Sequence, residues 1–329
     1  MAFPSPAPKR QVEPQEIPLP IVGGSTFGRY NKISDSQTWN MIVSENALVD
    51  YAGYKYVFQK PLVANGVGRG IYTSVNGGIM IAVIGSAVFS IDGNLMATPV
   101  GVLQTSVGDV FISENNANQI AIADKSFLYV YNYGDNSFLQ SIPFPNPLPD
   151  IITPAPTGYF YGPAPFPGYV SYQLGSIIVA ELSGQDFWIS GLEDATQWDI
   201  NDVENQAYIG NIGLKPDKIQ AAVPVPGSGN SLAIFGHTVM ELWQNVGTAL
   251  FPYQRSSTFN VDYGCLNASS IAALDSYIVW LSANEQGGAT VMRISGAGAR
   301  EESISTDGID FKLANISDPT NCTDRKSVV

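Results

Sequence analysis

Five times along this chain an apolar run is followed by a short turn of small or polar residues and then by a second, alternating run. This recurrence constrains the fold more than any other feature. Alternation with period two is the signature of a half-buried strand, and short apolar runs bounded by turn residues fit strands covered on both faces. The first copy places Gly70-Ile-Tyr-Thr-Ser ahead of Ile79-Met-Ile-Ala-Val-Ile, a turn at Gly85-Ser86, and Ala87-Val-Phe-Ser-Ile. The second runs from Val110-Phe-Ile-Ser through Gln119-Ile-Ala-Ile-Ala and Asp124-Lys125 to Phe127-Leu-Tyr-Val-Tyr. The third joins Tyr169-Val-Ser-Tyr, Ser176-Ile-Ile-Val-Ala, Ser183-Gly184 and Asp186-Phe-Trp-Ile-Ser. The fourth joins Ile219-Gln-Ala-Ala-Val, Ser231-Leu-Ala-Ile-Phe, Gly236-His237 and Thr238-Val-Met-Glu-Leu-Trp. The fifth holds Ser270-Ile-Ala-Ala-Leu, Tyr277-Ile-Val-Trp-Leu and Ala289-Thr-Val-Met-Arg-Ile.

The copies begin near residues 70, 110, 169, 219 and 270, at intervals of 40, 59, 50 and 51 residues. Propeller blades repeat at roughly 40–50 residues, so the pattern predicts an all-β, β-propeller-like fold with about five visible blades. A β-sandwich built of similar hairpins is the competing architecture. The middle strand of each unit is expected to be buried on both faces and the next one to be half exposed. The domain is expected over residues 26–323, with Pro-, Gly- and Tyr-rich loops at 142–168 and 191–218, the second carrying a helical turn. Residues 1–25 hold Pro4, Pro6, Pro8, Pro14, Pro18 and Pro20, which fix φ and donate no backbone hydrogen bond. They predict an extended arm, free or laid along a neighbouring subunit.

Composition agrees with many short strands: Gly 32, Pro 22, Tyr 16 and Phe 15, with only 14% charged residues against about 25% in ordinary domains. The formal net charge of −13 argues against a broad phosphate-wrapping face, since sequence-independent nucleic-acid binding rests on Lys and Arg. It allows an acidic lumen that repels the DNA backbone. Cys265 and Cys322 lack metal-ligand spacing. The first residues lack an apolar signal region, and the nearly apolar stretch Gly77 to Ile91 is too short for a membrane helix, so neither a signal peptide nor a membrane anchor is expected.

Several motifs raise chemistry and fall short of it. Ile21-Val-Gly-Gly looks like the start of a trypsin-like protease, but the one histidine, His237, sits in a predicted turn and no Gly-Asp-Ser-Gly segment exists. Gly66-Val-Gly-Arg-Gly lacks phosphate-loop spacing. Asp194, Asp199, Asp202 and Glu204 cluster in one loop without calcium-loop spacing. They fit solvated charge or a subunit-contact rim, and less well a metal or a carboxylate pair acting on glycosides. Trp188, Trp198, Trp243 and Trp280 fit packing between blades better than sugar stacking. No catalytic residue, metal or cofactor is expected. Arg69, Trp198, Asp199 and Arg255 are the candidate interface residues.

Ordered stretches from about 21 to 310 resemble the packaged-DNA stabilisation proteins of short-tailed bacteriophages. They are Ile21-Val-Gly-Gly-Ser, Thr38-Trp-Asn-Met-Ile-Val-Ser-Glu-Asn, Tyr51-Ala-Gly-Tyr-Lys and Gly68-Arg-Gly-Ile-Tyr. Phe187-Trp-Ile-Ser-Gly-Leu with Gln197-Trp-Asp follows, then Glu241-Leu-Trp-Gln-Asn-Val-Gly, Phe251-Pro-Tyr-Gln-Arg, Val261-Asp-Tyr-Gly-Cys and Trp280-Leu-Ser-Ala-Asn-Glu-Gln-Gly-Gly.

The resemblance implies a non-catalytic virion protein of the tail, a hub or nozzle that completes the head, assembled in the host bacterial cytoplasm. It implies a ring homo-oligomer, with a hexamer as the expectation, that meets the portal adaptor and other tail proteins and touches packaged DNA only through the channel. Family members are longer than this chain. Asp324-Arg-Lys-Ser-Val-Val reads as translated sequencing-adapter sequence, so residues 324–329 are expected to be a non-native tail and the chain a C-terminally truncated fragment. A carbohydrate-binding or carbohydrate-active propeller, resting on the aromatics with Asp199 and Asp202, is the alternative. A host scaffold propeller is the third reading.

Overall fold

A computed structural model of the chain describes residues 41–44, 47–50 and 66–316, apart from 146–152, 164–165, 203, 205, 214, 216, 249–250, 284–288, 296–300 and 306. The expected arm at 1–25, the tail at 324–329 and Cys322 lie outside the described residues. Two compact units divide the chain, one of residues 1–53 with 306–308 and one of 54–305 with 309–329. In the first, β1 (Met41–Ser44) and β2 (Ala47–Asp50) form an antiparallel hairpin.

Among the described residues the second unit is a series of five open sheets, each completed in sequence before the next begins. Sheet one holds β3 (Gly68–Thr73), β4 (Met80–Ile84), β5 (Ala87–Ile91) and β6 (Ala97–Val102). Sheet two holds β7 (Phe111–Glu114), β8 (Gln119–Ala123), β9 (Leu128–Asn132), β10 (Ser137–Ile142) and β11 (Tyr159–Tyr161). Sheet three holds β12 (Pro167–Gln173), β13 (Ser176–Glu181), β14 (Asp186–Ile189) and β15 (Tyr208–Asn211). Sheet four holds β16 (Ile219–Pro224), β17 (Ser231–Gly236), β18 (Met240–Asn245) and β19 (Tyr253–Val261). Sheet five holds β20 (Gly264–Cys265), β21 (Ala272–Ala273), β22 (Tyr277–Ala283), β23 (Ala289–Ser295) and β24 (Glu301–Ser303), and α1 (Asp307–Ala314) follows it.

Successive strands in sheets one to four pair antiparallel, except that β11 returns after the Pro-rich loop and adds to β10 in parallel, and in sheet five β20 and β21 each pair antiparallel with β22. The first strands of sheets one to four lie side by side in order, β3 by β7, β7 by β12, and β12 by β16. This serial packing is that of propeller blades and not of two sheets facing each other in a sandwich. Four cores follow, each between consecutive blades. Ile81, Val83 and Val88 meet Ile120, Ile122 and Tyr129; Leu128 and Val130 meet Ile177, Val179 and Trp198. Phe187 and Ile189 meet Leu232, Ile234 and Trp243; Phe235 and Met240 meet Trp280 and Met292.

The middle strands β4, β8, β13 and β17 are buried through their centres, as their unbroken apolar runs require. The expectation that the next strand alternates holds in β14, but Leu128, Tyr129, Val130 and Tyr131 of β9 are all buried. A blade with sheets on both sides covers both faces of that strand. In blade five the expected first strand at Ser270 is instead split. Ser270 ends a 3-10 helix, Ala268–Ser270, capped by the Asn267 side chain, and β20 and β21 both pair with β22. The described part of 191–218 contains turns, a Gly191–Asp194 bridge and β15, with no helical turn.

The first strands of blades one, three and four each carry a register shift near their start, between Gly68 and Gly70, Pro167 and Tyr169, and Ile219 and Ala221. A bulge re-aims the side chain of the extra residue. In blade one that residue is Arg69.

Candidate functional site

The first strands of neighbouring blades meet through their side chains. Phe111 from β7 and Tyr169 from β12 pack with ring centroids 4.7 Å apart, and both lie against the core shared by blades four and five, which includes Cys265. Burial pushes the Tyr169 hydroxyl and the Cys265 thiol each up to about 12. Cys265 donates to the Asn267 carbonyl at 3.0 Å. From blade five, Ser269 donates to Asp109, just before β7, at 2.7 Å. Lys125 lies 3.9 Å from Asp109 and 5.8 Å from the Phe111 ring centroid. Blades two, three and five are thus tied together around these side chains.

Polar stitches also join the blades. Arg69 is buried, and its guanidinium donates to the carbonyls of Gly85 at 3.0 Å, Thr105 at 2.8 Å and Gly108 at 2.6 Å, and to Thr105 Oγ1 at 2.8 Å. It therefore fixes the connection between blades one and two to the β4–β5 turn. Glu114 takes bonds from Ser74 at 2.5 Å, the Val75 amide at 2.9 Å and the Tyr133 hydroxyl at 3.0 Å, again joining blades one and two. Glu193 accepts from the Asn116 amide at 3.0 Å and from Tyr172 at 2.8 Å, joining blades two and three. Gln173 donates to the Ser231 carbonyl and accepts from Tyr253, each at 2.9 Å, joining blades three and four. The buried groups Arg69, Glu114 and Gln173 would be costly to leave unpaired, so their bonds hold consecutive blades together, and Glu193 adds a more exposed link.

Arg255 and Glu241 occupy neighbouring strands of blade four, 3.6 Å apart. Glu241 is buried and also accepts from Trp243 Nε1 at 3.0 Å and the Gly213 amide at 3.2 Å, whereas the Arg255 side chain is 38% exposed. Trp198 is buried between blades two and three and donates to the Ala195 carbonyl at 2.8 Å. Asp199 accepts from the Asn201 amide at 2.9 Å. Asp194 likewise holds the Thr196 amide and Asp202 the Glu204 amide, so the loop carboxylates cap their own turns.

The four candidate interface residues thus fall in three places: Arg69 inside, Arg255 on blade four, and Trp198 with Asp199 at one cleft. That cleft has a volume of about 350 Å³ and opens beside β11, where Phe144, Tyr159 and Tyr161 line it with Trp198, Asp199 and Asp202. Among the described residues no three His, Cys, Asp or Glu side chains gather as a metal would require, and no helix is long and apolar enough to cross a membrane. Sequence reasoning missed Glu114, Gln173 and Glu193. For the first two the available signal was a polar residue ending an otherwise apolar first strand.

A family model described as "Bacteriophage P22 Gp10, beta-propeller" matches residues 17–322. No curated protein matches the chain. Among solved structures it is similar to a chain of a mitotic checkpoint complex, at 11% identity over 80% of this chain and 74% of that one, with a TM-score of 0.42. It is similar to the WD40 β-propeller domain of Doa1 at 13% identity, over 72% and 68%, with a TM-score of 0.38. A candidate 6-phosphogluconolactonase from Bacteroides fragilis is 12% identical over 71% and 69%, with a TM-score of 0.45.

Proposed function

Because the chain belongs to this phage stabilisation family of β-propellers, matched over residues 17–322, we propose that several copies form a ring in a phage tail. The ring acts as a hub or nozzle that closes the portal channel on packaged DNA. Family membership itself makes the chain a structural, DNA-stabilising β-propeller protein of a phage virion. The ring, a hexamer in this reading, its contact with the portal adaptor and other tail proteins, and assembly in the host cytoplasm are the proposed part.

One observation carries the ring reading. Among the described residues, Phe111 and Tyr169 from the first strands of blades two and three pack together and against the core of blades four and five that includes Cys265, so side chains occupy the place where these blades meet. A channel that is to be closed or lined then lies between copies. In this reading the protein works by geometry, as a scaffold whose blades are stitched at Arg69, Glu114, Glu193 and Gln173. A net charge of −13, where it faces the lumen, keeps the DNA backbone from sticking there, because like charges repel and raise the energy of an approaching phosphate. No reaction is required of it.

The test is genetic and physical. Phage particles lacking the protein should package DNA and then lose it, leaving empty heads, and adding the purified full-length protein should restore retention. Particles that keep their DNA without it would overturn the proposal.

A further inference from the structure

The cleft at blade two is lined by the rings of Phe144, Tyr159 and Tyr161 together with the polar side chains of Thr153, Thr196 and Gln197, and its charged groups lie at one rim. Phe144 and Tyr161 stack with centroids 5.6 Å apart and planes 25° from parallel, making a ridge. The Tyr159 ring stands beside it, 41% exposed on the edge strand β11. Buried Phe160 and Trp198 form the floor, and Asp199 and Asp202 form the rim. Grooves between aromatic ridges suit extended proline-rich segments, which bury ring against ring and lose little entropy because proline has already fixed their shape. About 350 Å³ accepts a few side chains and not a folded domain.

The same polypeptide carries a segment of matching chemistry. Pro4, Pro6 and Pro8 are followed at once by Lys9 and Arg10, two of the 16 basic residues in the chain. Prolines on the aromatic ridge would bring these cations to the Asp199–Asp202 rim, where each pairing is favourable and sensitive to salt. We propose that this cleft is the docking site for the proline-rich segment, residues 4–10, of a second copy. The proposal rests on the reading that copies assemble, and it assigns Trp198 and Asp199 a role in that assembly.

The test uses the full chain with a photo-crosslinking amino acid in place of Ala7, mixed as isotope-heavy and isotope-light copies, with particle size measured on the same samples. Heavy-to-light crosslinks to residues 144–161 or 196–202 are expected. Tyr159→Ala should lower their yield about fivefold, as loss of one ring contact implies. Asp199→Asn should lower it in dilute salt but not in concentrated salt. Crosslinks confined to one copy, or none to the cleft, would overturn the proposal, as would a yield indifferent to Tyr159→Ala. The two readings separate cleanly. Rings without cleft crosslinks leave the ring reading standing and remove this one, whereas cleft crosslinks between copies that form no ring do the reverse.

Discussion

Phe111 and Tyr169, from the first strands of neighbouring blades, meet with ring centroids 4.7 Å apart and planes at 45°. They lie against the core of blades four and five, so a contact between two blades also anchors two others. Replacing either ring with alanine removes buried surface and leaves a cavity that rigid strands cannot fill. Phe111→Ala and Tyr169→Ala are expected to lose about 2–3 kcal/mol each by urea unfolding, less than a fully buried ring would, because both rings are partly exposed. Tyr169→Phe should lose much less, since packing and not a hydroxyl partner places this ring.

Arg69 should be intolerant of lysine. Its guanidinium serves three carbonyls and one hydroxyl from a fixed fork, and an ammonium group cannot reach all of them in one geometry. Arg69→Lys and Arg69→Ala should both destabilise by about 2–4 kcal/mol, because carbonyls of Thr105 and Gly108 lose their partner. Hydrogen exchange should rise first between residues 103 and 110, which the side chain pins.

Glu241 and Arg255 should prove unequal partners. Glu241→Ala strands the Trp243 indole and the Gly213 amide, and should cost about 2–4 kcal/mol. Arg255→Ala removes a half-exposed charge at 3.6 Å and leaves Glu241 its Trp243 and Gly213 donors, so it should cost about 1–2 kcal/mol, less than Glu241→Ala. Thermal unfolding of the two single variants and the double variant measures the difference.

Alkaline stability follows from the raised values of Tyr72, Tyr169, Tyr253 and Cys265, each pushed up to about 12 by burial. In the unfolded chain a tyrosine ionises near 10 and a cysteine near 9, so folding holds these groups neutral. Their contribution is complete below pH 9 and is lost as pH rises from there toward 12. The expected readout is a late component of the phenolate absorbance change, from the buried rings, that appears well above pH 10 and coincides with unfolding. In a Cys322→Ser background, Cys265 should resist thiol reagents at pH 8 until the chain is unfolded, since the thiolate is the reactive form.

The middle strands were legible in the sequence because Ile79 to Ile84, Gln119 to Ala123, Ser176 to Ala180 and Ser231 to Phe235 are nearly unbroken apolar runs. The outermost strands were not. β6 contains Pro99 and Gly101, and β24 is Glu-Glu-Ser, compositions that only an edge strand tolerates and that carry little periodic signal. The split in blade five turned on the Asn267 cap, a local side chain-to-backbone bond that competed with strand pairing. Arg69 stood out as a cation between glycines, but its inward aim depended on a bulge that only the register reveals. Trp198 and Asp199 were adjacent in sequence, whereas Tyr159 reached the same cleft through β11, a parallel return across a Pro-rich loop with no apolar alternation to mark it.

The central claim is that copies of this propeller surround a channel that no single copy contains. Cryo-electron microscopy of the tail, with the full-length protein in place, tests it most directly. The account predicts a closed ring of copies about the virion axis, with DNA density in the lumen between them and with Phe111 and Tyr169 packed against each other in every copy. DNA density running through the centre of one copy, or single copies placed off the axis with no ring, would contradict it.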